Sequence, residues 1–178
     1  MHCHDASHHL RVWELAESVA DNYPVDKEVL IAACLLHDIS AQRAELDHTK
    51  SQQNDARIAE EVLIKVNFPV GKIPLVVDAI LNHSSNPEFK ERRRSMEAKI
   101  LCDADKMDCL GAMGVTRIFS ALITRGKSIK EIVELYHGKK IKQKYEAISL
   151  SEFKDRAEKE YLYTQEFFQK LARELKLL

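Results

Sequence analysis

Few residues in this chain interrupt helices. Only five glycines and four prolines punctuate 178 residues. Period-two alternation of Val, Ile and Thr is almost absent, which argues against half-buried strands. No CxxC pair occurs among the four cysteines, Cys3, Cys34, Cys102 and Cys109, so neither a disulfide framework nor a zinc ribbon is indicated. Three of them sit in apolar segments, as small hydrophobes do; Cys102 and Cys109 are read as core packing on one helical face. No apolar stretch approaches the roughly 20 residues that span a bilayer. The opening Met1-His2-Cys3-His4-Asp5 lacks the basic and apolar segments of a signal peptide, so a cytoplasmic location is expected. There is also no excess of either charge. A formal net charge of −1 offers no global field for nucleic acid or membrane.

What remains is helical spacing in a chain that is 45% hydrophobic and 31% charged, the balance of an ordinary soluble domain. An all-α fold is expected, as one domain over 1–178. A first helix is expected from Asp5 to Asn22, with Val12, Leu15, Ala16 and Val19 as its apolar stripe and Pro24 beyond its end. Asp26 can cap a second helix. A third is predicted from Ser51 to Val66, burying Ala56, Ala59, Val62 and Leu63. A fourth runs from Ile73 to His83, with Pro74 in its first turn. Ser95 starts a fifth, through Cys109. Gly111 and Gly114 loosen the connection to another helix that ends near Gly126. Ser128 caps Ile129 to Tyr136, Lys139 to Lys144 reads as a basic connector, and Ser151 to Leu177 as a long amphipathic helix. Residues 39–49 and 84–94 read as polar loops.

The second helix carries the chemistry. Leu30-Ile31-Ala32-Ala33-Cys34-Leu35-Leu36 runs directly into His37-Asp38. A histidine and a carboxylate at the end of a buried helix face desolvation unless something pairs them, and imidazole with carboxylate is a transition-metal ligand set. Three other places supply the same residue types: His8, with His4, Asp5 and His9 around it; His83; and the acidic patch Asp103-Ala104-Asp105-Lys106-Met107-Asp108. Each alone has a structural explanation. Together they sit on helices whose apolar faces must pack, and that packing would bring them to one pocket.

The order His, His-Asp, Asp on successive helices resembles the HD-domain phosphohydrolase superfamily. His4-Asp5-x-x-His8-x-x-Arg11-Val12 resembles the opening motif of small HD hydrolases, and Leu35-Leu36-His37-Asp38-Ile39 the central one. Asp103 to Asp108, followed by Gly111-Ala112-Met113-Gly114-Val115 and Arg117, resembles the closing motif of one subgroup. The motif-bearing part covers residues 4–120, leaving 128–178 as a C-terminal helical extension. The resemblance implies an HD-domain-like helical bundle with a metal site between helices. It makes His8, His37, Asp38 and Asp105 the metal ligands, with Asp103 the alternative to Asp105 and Asp108 a residue that orients a neighbour. His48 and His83 stand where two-metal members place extra histidines, which leaves room for a second ion.

Two imidazoles and two carboxylates suit Fe, Mn, Co, Ni or Zn better than Mg. A divalent ion there activates water for attack on phosphorus. His83 or His48 then supplies a proton or holds phosphate, while Arg11 and Lys106 neutralise its charge. The expected substrate is a nucleotide or other small phosphorylated metabolite, cleaved at an ester or anhydride bond. Two rivals remain: a di-iron oxygenase of the HD type, which needs His48 and His83 on a second ion, and a non-catalytic domain that binds a phosphate ligand. Arg92-Arg93-Arg94 with Lys90 reads as a solvated loop or a collector of anions. Neither a membrane nor nucleic acid is an expected partner, since aromatic interleaving of the lysines at 139–144 is limited to Tyr145. The apolar face of the last helix, with Phe153, Tyr161, Leu162, Phe168, Leu171 and Leu175, is expected to pack on its own domain, with a homodimer as the second reading.

Overall fold

The computed structural model describes residues 6–41, 51–83 and 95–178. His48, Cys3, the His4-Asp5 pair and the basic run from Lys90 to Arg94 lie outside the described residues. Among the described residues there is no strand, and the fold is all-α. No single helix among them is long and apolar enough to cross a membrane. The chain packs as two compact units, residues 6–104 and residues 105–178, and the division falls inside one helix.

In the first unit, α1 (Ala6–Ala20) buries His8, Val12, Ala16, Val19 and Ala20. From His8 to Val19 that spacing of four, four and three residues is one face of a helix, and Ala20 adjoins it. Leu15, expected in the stripe, is only half-buried. Next, α2 (Lys27–Leu36) begins at Asp26, whose carboxylate accepts from the Glu28 and Val29 backbone N–H groups. Two of the four N–H groups left open at the helix start are thereby satisfied. Lys72 grips the same cap from outside, 2.6 Å from Asp26 and 2.8 Å from Glu28. The interior of α2 is apolar on most sides because it packs against both α1 and α4 (Ile73–Asn82). Then α3 (Ser51–Lys65) lies against α4, burying Ala56, Ile58, Ala59 and Leu63; Val62 is half-buried rather than buried. Most of α5 (Met96–Met107) belongs to this unit as well, opened by Ser95 Oγ accepting from Ala98 N–H.

The second unit takes the end of α5 and four further helices: α6 (Gly111–Thr124), α7 (Ile129–Leu135), α8 (Ile141–Glu146) and α9 (Ser151–Glu174). Ser128 caps α7 through a reciprocal pair of bonds with Glu131, and the Ser128 backbone N–H holds the Glu131 carboxyl down at about 2. The stretch Lys139 to Lys144 is helical, which corrects the expected connector: a wide turn over Tyr136–Lys140 runs into α8. Ile141 explains the correction, since it is 1% exposed and needs a helix to bring it into the core. Cys109 lies just past α5, in a turn and half-buried, so it does not share a helical face with the fully buried Cys102. On α9 the buried set is Phe153, Ala157, Thr164, Phe168 and Ala172. The Phe168 ring lies between Phe119 and Tyr136, with centroids 5.9 and 5.6 Å away. The last helix therefore packs on its own unit through Phe153 and Phe168, whereas Leu162 and Leu175 of the expected stripe are exposed and Tyr161 and Leu171 half-buried.

Two glycines are sterically required where α6 begins. Gly111 has φ +71, a region costly for residues with a Cβ. Its N–H donates to Thr164 Oγ1 at 2.7 Å, and that hydroxyl donates onward to Glu160 O at 2.7 Å. Gly114 lies so close to the Cys109 carbonyl that a Cβ would collide with backbone. Gly114→Ala is therefore expected to destabilise strongly, because neither side can swing away. Thr164→Val should cost about 1–3 kcal/mol by stranding a buried N–H. Urea unfolding of the two variants checks both; an unchanged midpoint for Thr164→Val would show that the bond adds nothing.

Candidate metal centre

The site begins at the C-terminus of α2, where the last carbonyls have no helical donor. His37 is the C-cap, and its Nδ1 is 2.9 Å from Cys34 O. A carbonyl only accepts, so Nδ1 carries the proton and Nε2 of the neutral ring keeps a lone pair. His9 on α1 directs its own Nδ1 to the same oxygen at 3.3 Å. The Cys34 carbonyl thus joins α1 to the end of α2 through two imidazoles.

Asp38 follows at once. Its Oδ2 is 3.5 Å from His37 Nε2 and 3.7 Å from His8 Nε2. Both histidines are fully buried, whereas the Asp38 side chain keeps 23% of its exposure. The turn beyond it is held by Asp55 on α3, which accepts the Ser40 backbone N–H at 2.7 Å. On α5, Asp105 sits one residue past Ala104, the helix's last residue in the first unit. One donor atom from each of His8, His37, Asp38 and Asp105 lies within 4.8 Å of the other three. Donors bound to one first-row ion at about 2.0–2.2 Å sit roughly 3–4.3 Å apart. The four residues therefore fit one ion with small side-chain shifts. A cation also offsets the cost of carboxylates beside buried imidazoles.

The remaining expected residues divide. Lys106 donates to Asp105 Oδ2 at 2.6 Å, with both side chains 13% exposed, so it belongs to the site's edge. His83, at the C-cap of α4, directs Nδ1 to Ile80 O at 2.6 Å, and its ring centroid is 5.4 Å from that of His37. It adjoins the group without being one of the four. Arg11 donates to Ser7 Oγ at 3.0 Å, on the preceding turn of its own helix. Asp103 is 1% exposed and outside the group. Asp108 accepts from Arg117 at 2.7 Å in a nearly buried ion pair, and Arg117 also reaches the Asp108 carbonyl at 3.0 Å. Sequence reasoning passed over two residues here. His9 packs its ring 5.3 Å from His8 and 5.1 Å from His37, and was noted only as a neighbour. Asp55 is fully buried; its signal was an acid in register with Ala59 and Leu63 at four-residue spacing.

Comparison with known proteins bears on this arrangement directly. A family model described as the HD domain matches residues 5–110. The chain belongs to the HD-domain family. The matched span of the HD domain contains His8, His37, Asp38 and Asp105. A curated relative, the uncharacterised protein YpgQ of Bacillus subtilis, is 26% identical over 132 residues. That alignment covers 71% of this chain but 60% of the relative, less than two thirds of its length. A solved structure of a Lactobacillus plantarum protein has the same fold, with a TM-score of 0.80 at 19% identity over 99% of this chain and 89% of that one. So does YpgQ in complex with ADP, at TM-score 0.73 and 20% identity over 97% and 90%. A predicted HD superfamily hydrolase from an uncultured Thermotogales bacterium is 28% identical, with a TM-score of 0.62 over 97% and 82%.

Metal content tests the fit. Elemental analysis after loading with Mn or Co is expected to find one tightly held ion per chain, lost in His8→Ala and in Asp38→Ala. Full retention of the ion in both variants would show that the group does not hold it.

Proposed function

We propose that this HD-domain protein is a metal-dependent phosphohydrolase acting on a nucleotide or another small phosphorylated metabolite. The observation that carries the reading is the convergence of His8, His37, Asp38 and Asp105, one donor each within 4.8 Å, on a fold shared with YpgQ, which was solved with ADP bound. A divalent ion held there supplies Lewis acidity and lowers the pKa of a water at the site.

The chain's own residues then have distinct tasks. Cys34 O holds His37 in one tautomer and one orientation, as outer partners of ligating histidines commonly do. The Asp55 carboxylate, through the Ser40 N–H, keeps the turn after Asp38 from shifting. Lys106 stands over Asp105 and offsets negative charge at that end of the site, where the phosphate is drawn in. His83, whose Nδ1 is directed to Ile80 O, is assigned the proton that goes to the leaving oxygen. Arg11, on the first turns of α1, is the second cation assigned to phosphate. Water oxygen bonds to phosphorus, the bond from phosphorus to the leaving oxygen breaks, and that oxygen leaves protonated.

A panel of nucleoside mono-, di- and triphosphates, cyclic nucleotides and simple phosphate esters, assayed with Mn, Co, Fe or Zn, tests the proposal. Chelation is expected to abolish turnover. Asp38→Ala should lower it at least a thousandfold, and His83→Ala by roughly 10²–10⁴, the usual contribution of a general acid. Undiminished turnover in metal-free Asp38→Ala would sink the reading. Two ions per chain with uptake of dioxygen would favour the oxygenase instead.

A further inference from the structure

We infer that His9 is a positioning residue of the metal centre: its hydrogen bond to Cys34 O holds His8 at the distance from His37 that one ion requires. The inference rests on the metal-centre reading and not on the phosphohydrolase one. All four residues lie in the first unit.

The observations begin with the register of α1. His8 and His9 are consecutive, so their side chains leave the helix about 100° apart. His8 is fully buried and supplies one of the four clustered donors. His9 is half-buried and is not among them. It turns instead to the end of α2, with Nδ1 3.3 Å from Cys34 O. The same oxygen takes His37 Nδ1 at 2.9 Å. A carbonyl has two lone pairs and no proton to give, so both imidazoles donate to it. The three rings form a nearly equal-sided triangle. Centroids are 5.3 Å apart for His8 and His9, 5.2 Å for His8 and His37, and 5.1 Å for His9 and His37. Two corners are candidate ligands, and the third ties their two helices together.

Magnitudes show why that tie matters. His8 comes from α1, whereas His37 and Asp38 come from the end of α2. The two helices meet through apolar faces, and apolar burial is non-directional. Packed helices shift past one another by about 1–2 Å. Metal–ligand distances tolerate only about 0.2 Å. A slide of α1 along α2 would therefore part the donors before it disturbed the core. A hydrogen bond resists such a slide, because it weakens steeply as its angle opens. The His9 bond acts one residue from His8, on the oxygen that also directs His37.

The test compares variants by their Mn dissociation constant, from competition with a chelator, and by the visible spectrum of the Co-loaded protein. His9→Phe keeps a ring and removes the donor. Its Mn dissociation constant is expected to rise at least about tenfold, the low end for residues that orient metal ligands, and its Co bands to shift. His9→Ala gives the same comparison should His9→Phe not fold. His9→Asn places a side-chain N–H where Nδ1–H stood, and should stay within about threefold of wild type with wild-type Co bands. Val19→Ala, toward the other end of α1, should lower the thermal midpoint of the metal-free protein and leave Mn affinity unchanged. Wild-type affinity in His9→Phe overturns the inference. So does a loss in His9→Asn as large as that in His9→Phe, which would put the weight on the ring and not on the bond. Equal weakening by Val19→Ala overturns it as well, since His9 would then act only through general stability. No ion bound by wild type ends the metal-centre reading itself. Weakened Mn binding in His9→Phe with recovery in His9→Asn upholds the inference, whatever the wild type hydrolyses.

Discussion

One carbonyl oxygen organises the first unit's chemistry. Cys34 O would be an orphan acceptor in the last turn of α2, and two imidazoles satisfy it: His37 Nδ1 at 2.9 Å and His9 Nδ1 at 3.3 Å. That bond decides which nitrogen of His37 keeps its lone pair, and so decides that the pair is on the nitrogen nearer Asp38. A charged or rotating imidazole at full burial would be costly. Anchoring it to the helix's own backbone supplies both the tautomer and the direction without recruiting another element.

Around that point, each neighbouring element limits one degree of freedom. Asp26 and Lys72 hold the start of α2, so the register of its far end is set by helix geometry. Packing on α1 and α4 sets its rotation. Asp55 stops the turn after Asp38 from slipping, because releasing the Ser40 N–H would strand a buried donor. Within the second unit, the Asp108–Arg117 pair and the Gly111–Thr164 bond tie the end of α5 to α6 and α9. These contacts lie in parts of the fold that bring no candidate ligand of their own, yet they fix the helix end that carries Asp105 and Lys106.

Much of the architecture was legible because the signals are local. The Asp26 and Ser128 caps act within three residues. Pro74 falls in a first helical turn, and the Val12, Ala16, Val19 stripe follows from period alone. Misreadings arose where a distant contact outweighed local composition. Lysines at 139, 140, 142 and 144 suggested a solvated connector, but one isoleucine at 141 and one tyrosine at 145 find partners that make the segment helical. Leu15 and Val62 have the right spacing for burial and remain half-buried, since the width of a buried stripe depends on what packs against it.

The sequence by itself determined the fold class, the caps, the family and the His37-Asp38 dipeptide at the end of an apolar helix. All of these are carried by residue type and spacing along the chain. It left Asp103 and Asp105 undivided, because both are acids on the same helix and period alone does not say which direction faces the histidines. Residues two positions apart on an α-helix differ by about 200°, so only packing can choose; it buries Asp103 and sets Asp105 with His8, His37 and Asp38. The same holds for His9 and Asp55, whose partners lie on other helices. Donor distance is a property of three dimensions, and no one-dimensional pattern encodes it.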